Sequence, residues 1–162
     1  MMRKRARILA GMAAGALWAL AVVGGPQLAG LPYLPAPLSV PGALVPPGIV
    51  MAAMIGRLAQ RRFWDDALID GQDFPSGSPG WVDQRVLHNT IEQVVLALVT
   101  WPFVALTLGG GVVLVMGVAF ALSRLAFWIG YHAAPPLRAF GFAATFYTTV
   151  LAAFWAVFAW AI

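Results

Sequence analysis

QVVLALVTWPFVALTLGGGVVLVMGVAFALS, Gln93 to Ser123, contains no Asp, Glu, Lys or Arg, and its apolar run is interrupted by Gly109-Gly110-Gly111. About 20 apolar residues carry a helix across a bilayer, so this stretch has room for the end of one span, a glycine turn and the start of another. Two further uncharged runs flank it, Ile8 to Gly56 and Ala139 to Ile162. An unpaired backbone amide in hydrocarbon costs several kcal/mol, so such runs form helices or closed barrels. Barrel strands alternate apolar and polar residues. These runs do not alternate, which leaves helices.

The whole composition agrees. Of 162 residues, 61% are hydrophobic and 10% charged, and the mean hydropathy is +0.83, far from a water-soluble globular domain. Cysteine is absent, which excludes disulfides, thiolate metal sites and a protein-derived sulfur nucleophile; any thiol chemistry must use a small-molecule thiol. The net charge of +4 reports membrane orientation in such a chain, and nucleic acid is not an expected partner.

Five helices are expected. Arg3, Lys4, Arg5 and Arg7 precede an apolar stretch from Ile8 to about Gly24, in which Gly11 and Gly15 are spaced for close helix packing. This segment is either a signal peptide or a first span. Its length and the lack of a clean A-x-A site favour an uncleaved helix. Gly25 to Pro41 holds Pro26, Pro32, Pro35, Pro37 and Pro41 and reads as an extended outer connection, because proline lacks the N–H a regular helix uses. A second helix is expected to start between Pro41 and Pro47 and to end near Arg62. Arg57 to Gln84, with Asp65, Asp66, Asp70, Asp73 and Asp83 and the turn-forming Pro75-Ser76-Gly77-Ser78-Pro79-Gly80, reads as a solvated loop. A third helix from Trp81 or Val82 to Leu108, a fourth to about Tyr131 and a fifth from Leu137 complete the chain. The expected division is residues 1–41, a transmembrane helix with its proline-rich connection, and residues 42–162, a four-helix membrane domain.

Threading these spans with the N-terminus inside puts all ten basic residues inside or at the inner interface, as cytoplasmic loops favour. In a bacterium this would be the cell (inner) membrane. Trp155 and Trp160 then fall in an outer aromatic belt.

On the third helix Arg85, His88, Asn89 and Glu92 stand at i, i+3, i+4 and i+7 and so share one face, with Gln93 beside them. An ionised side chain facing lipid costs about 2.5–3.5 kcal/mol even on lenient scales, so this stripe should face protein or a wet cavity. Arg124 and Tyr131 lie seven apart on the fourth helix, and Arg138 opens the fifth. Taken singly, each arginine is a snorkelling anchor and Glu92 a helix-pairing carboxylate. Together, several arginines with an amide, a carboxylate and a phenol suit a small anionic ligand, since guanidinium forks match carboxylates. His88 and Glu92 alone do not make a metal site. Asp70-Gly71-Gln72-Asp73 lacks the length and terminal glutamate of a calcium loop. His132 reads as an interfacial residue, and Phe140, Phe142, Phe146, Phe154 and Phe158 as packing and lipid contacts.

RVLHNTIEQ, Arg85 to Gln93, resembles the second-helix signature of the MAPEG proteins, the membrane-associated proteins of eicosanoid and glutathione metabolism. RLAFWIGYHAAPPLRAFGF, Arg124 to Phe142, resembles their segment joining helices three and four. The resemblance spans roughly Val45 to Ile162 and makes the N-terminal helix an addition to the family's four. It implies an all-α transmembrane bundle that forms a homotrimer and binds glutathione between subunits near the cytoplasmic face. Arg85, Asn89, Glu92, Arg124 and Tyr131 would hold the glutathione, and Arg138 would be the catalytic residue that activates its thiol. Arg61 or Arg62 is a weaker candidate contact. The implied activity is a glutathione-dependent transferase or peroxidase acting on a lipophilic electrophile that arrives from the membrane lipid. Gln93 and Phe127 replace tyrosines found in some members, which favours the alternative of a non-catalytic protein that binds and presents lipid. A small transporter is the third and weakest reading.

Overall fold

The structure, a computed structural model, describes residues 2–31 and 34–162, so the expectation for Pro32 lies outside the described residues. Five helices follow one another: α1 Met2–Leu28, α2 Ala36–Phe63, α3 Pro79–Leu108, α4 Gly110–Ala133 and α5 Pro135–Ala161. All five are long and apolar enough to cross a membrane. At 1.5 Å per residue even the 24 residues of α4 reach about 36 Å, more than the roughly 30 Å of hydrocarbon. The described residues include no strand, and the protein is an integral, multi-pass membrane protein built as a helical bundle.

The breaks between helices follow from local chemistry. Ser78 caps α3, its Oγ accepting from the Trp81 N–H at 3.2 Å, and Pro79 takes the first position, where no N–H is required. Only Gly109 separates α3 from α4. Its φ of 99° and ψ of 151° are unfavourable for any residue with a Cβ. Gly110 and Gly111, expected in the turn, instead open α4, and Gly110 lies against the Leu34 carbonyl and Ser39. Ala134, extended at φ −152°, separates α4 from α5, which starts at Pro135, two residues before the expected Leu137.

The expected extended stretch from Gly25 to Pro41 is shorter in the structure: α1 continues to Leu28 and α2 begins at Ala36, before the expected start between Pro41 and Pro47. Pro37 sits in the first turn of α2, where it forfeits no helical hydrogen bond, and Pro26 sits in the last turn of α1. Pro41, Pro46 and Pro47 lie inside α2. A proline removes the bond to the carbonyl four residues earlier, so Pro47 frees the carbonyl of Ala43. Gly117 of α4 packs directly against that oxygen, and a neighbouring helix thus covers the group that the proline exposes.

α1 lies along α5, its most extensive neighbour. Gly11 meets the Pro136 carbonyl and Gly15 the backbone of Ala143 and Ala144, so the two helices run in the same direction at close range. α2 and α4 likewise run together, from Ser39 against Gly110 to Ala43 against Gly117. The first turns of α1, α3 and α5 and the last turns of α2 and α4 therefore share one end, which carries Arg57, Arg61, Arg62, Arg85 and Arg138.

Two clusters fill the interior. Towards the far end, Val104, Val113, Met116 and Phe120 surround Trp101, whose Nε1 donates to Thr149 Oγ1 at 3.3 Å. Towards the basic end, Met54, Leu58, Val86, Leu87 and Phe127 are joined by Leu68 and Phe74. The connection between α2 and α3, expected to be solvated, thus buries Leu68 and Phe74, and Phe74 lies against Gly80.

Candidate functional site

The polar stripe of α3 opens onto a cleft of about 420 Å³ lined by Gln84, Arg85, His88, Asn89, Glu92 and Tyr131. Asn89 is its pivot. Its Nδ2 donates to Glu92 Oε2 at 3.0 Å, and its Oδ1 accepts from Arg124 Nη1 at 3.0 Å. His88 Nε2 stands 3.3 Å from the other Glu92 oxygen. Arg85 lies over the Trp81 ring, 3.9 Å from its centre, a cation–π contact one turn back on the same helix.

Arg124 is wholly buried. Its guanidinium rests 3.9 Å above the Phe127 ring, while Nε and Nη2 have no hydrogen-bond partner. A buried charge is tolerated when it is paired and its donors are used. Here the nearest carboxylate, Glu92, is reached only through Asn89. These two nitrogens carry three unused N–H groups, a donor set suited to an anion.

The residues singled out from the sequence converge. Arg85, Asn89, Glu92 and Tyr131 line the cleft, and Arg124 backs it through Asn89. Arg138 stands behind Tyr131, its guanidinium carbon 4.9 Å from the ring centre, and does not form the cleft wall. Arg61 is elsewhere, its Nε donating to Asp83 Oδ2 at 2.6 Å. Arg62 is over the Phe74 ring at 5.1 Å. Gln93 is buried with Oε1 unpartnered.

Sequence reasoning missed Asp83. Its place in the third helix is expected, but its burial is not: grouped by composition with the solvated aspartates, it lies in the second turn of α3 and is 2% exposed. It accepts from Arg61, from Trp128 Nε1 at 2.7 Å and meets His132 Nε2 at 2.7 Å. His132 is therefore more than an interfacial residue: with Trp128 it ties α4 to α3, and Arg61 adds α2. The signal was present, because the buried positions Val86, Leu87, Thr90, Gln93 and Ala97 extrapolate one turn back to Asp83.

Among the described residues no group of three or more His, Asp or Glu is arranged to hold a metal ion. No curated protein and no solved structure matches the chain. The model of the MAPEG family matches residues 39–158, a stretch that contains every residue of the cleft, and the chain belongs to the MAPEG family.

Proposed function

We propose that the protein is a glutathione-dependent membrane enzyme, a transferase or peroxidase, whose electrophilic substrate is lipophilic and enters from the bilayer. The observation that carries this reading is buried Arg124, with two unpartnered guanidinium nitrogens, joined through Asn89 to a cleft walled by Arg85, Asn89, Glu92 and Tyr131. Glutathione fits that donor set: it offers two carboxylates to the arginines and one ammonium to Glu92. Arg138 supplies a fixed positive charge beside Tyr131, and a nearby cation favours thiolate over thiol, the thiolate being the nucleophile. In the transferase, attack of the thiolate on carbon forms the carbon–sulfur bond and expels the leaving group; in the peroxidase, two glutathione thiols are oxidised to the disulfide as the hydroperoxide is reduced to an alcohol and water.

On this reading the functional unit is a homotrimer of the four helices α2 to α5, expected from the sequence at residues 42–162, and α1 with its connection is an addition. The basic end faces the cytoplasm, and in a bacterium the host membrane is the inner one. Isothermal titration of the detergent-solubilised protein with glutathione tests the first step, and ultraviolet thiolate absorbance tests activation. Saturable binding with a thiolate signal that Arg138→Ala removes supports the enzyme; no binding sinks it.

Gln93 and Phe127 supply no phenol at positions where some members have one, and this favours a second reading, a non-catalytic protein that binds and presents a membrane lipid. Glutathione binding with no turnover across a panel of electrophiles, together with a copurifying lipid, would select it.

A further inference from the structure

A second cleft, of about 410 Å³, opens at the basic end between the last turns of α2 and α4, lined by Arg57, Arg61, Asp83, Trp128, Ile129, His132 and Ala133. Of the residues that line the first cleft it shares none. We propose that this cleft binds the phosphate of an anionic membrane phospholipid.

The cleft is built on a buried carboxylate. Asp83 holds Arg61 through Nε alone, which leaves the rest of the guanidinium fork for the cleft, and it fixes Trp128 and His132 at 2.7 Å each. One acid thus holds a guanidinium, an imidazole and a neutral indole N–H. Arg57 stands one helical turn before Arg61 and pairs only with the neutral Gln60 Oε1, at 2.7 Å. An adjoining hollow shares Arg57 and Arg61 and adds Asp65 and the exposed Trp64; Asp65 makes no salt bridge with either arginine. Two arginines one turn apart on the same face of α2, one of them fixed by a buried carboxylate between helices, form a phosphate clamp.

Position decides between a lipid and a soluble phosphate. The cleft lies at the end of the spans, where headgroup phosphates gather, and tryptophans at that depth mark the interface. Ile129 forms part of the cleft wall, and from it Leu125, Leu122 and Val118 continue along α4 as one exposed apolar stripe at helical spacing. A headgroup held by Arg57 and Arg61 would therefore lay its acyl chain on a ready-made apolar track.

The test is native mass spectrometry of the full chain in detergent, titrated with phosphatidylglycerol or with phosphatidylcholine carrying the same acyl chains. Phosphatidylglycerol should be retained preferentially, and Arg57→Gln should weaken its retention about fivefold, the factor expected for one basic residue beside an anionic lipid. Arg57 is exposed and makes no ion pair, so this variant folds. Arg5→Gln, which removes the same charge from α1, should leave retention unchanged. Equal retention of the two lipids, or equal losses in both variants, overturns the proposal. Displacement of the lipid by inorganic phosphate alone would assign the cleft to a soluble anion and overturn it as well.

Discussion

Asn89 accepts a 3.0 Å hydrogen bond from Arg124, and this contact joins the polar stripe of α3 to an arginine buried inside the bundle. The same amide donates to Glu92, so a neutral side chain sits between opposite charges and holds them apart. Glu92, held by Asn89 and beside His88, is left 55% exposed in the cleft, where it can meet a ligand's cation, while Arg124 keeps two donor nitrogens for an anion. A direct Arg124–Glu92 pair would have satisfied both groups and closed the site to a ligand. The arrangement spends stability on binding capacity, and mutation can separate the two.

Arg124→Met removes a desolvated charge and retains most of the side-chain volume. Replacing a buried ion by an apolar residue is often neutral or stabilising by about 1–4 kcal/mol. The variant should melt at or above the temperature of the parent in a detergent thermal-shift measurement and should bind no glutathione by calorimetry.

Asn89→Leu should do the opposite. It leaves Arg124 without its hydrogen bond, and bonds to charged groups contribute about 1.5–3 kcal/mol. A fall in thermal stability together with lost binding is expected, and in the double variant with Arg124→Met most of the stability loss should disappear.

Arg85→Ala separates binding from folding by another route. The side chain is exposed and rests on Trp81, an interaction of about 0.5–1 kcal/mol. Stability should change little, whereas glutathione affinity should fall roughly tenfold, in line with one lost charge-assisted hydrogen bond.

Asp83→Ala strands Arg61, Trp128 and His132 at once. Breaking a buried pair by deleting one partner costs about 3–5 kcal/mol. Solubilised protein should show a large drop in unfolding temperature. Because Asp83 is outside the α3 cleft, surviving protein should retain glutathione affinity; loss of affinity at full stability would contradict the separation of the two clefts.

Gly117→Val would drive a side chain into the Ala43 carbonyl, an overpacking cost of about 1–3 kcal/mol or more. Gly48→Ala on α2 meets nothing within 4 Å and should be neutral, or stabilising by up to about 1 kcal/mol through helix propensity. Unfolding of the two variants in mixed micelles distinguishes the positions.

The sequence by itself determined the solvent of this protein and the number of its helices, because uncharged runs such as Gln93 to Ser123 admit no other way to satisfy a backbone in hydrocarbon. It also determined that Arg85, Asn89 and Glu92 share a face, since helical periodicity is a property of the chain alone. The tertiary structure decided what the prolines do: Pro41, Pro46 and Pro47 look like helix breakers until the neighbouring α4 appears, with Gly117 covering the carbonyl that Pro47 frees. It decided the fate of Asp83 as well. Composition places that residue with the other aspartates of a wet loop, and only three donors arriving from two other helices make its burial affordable. Local patterns register what one helix prefers, whereas the cost of a buried charge depends on partners that lie far away in the chain.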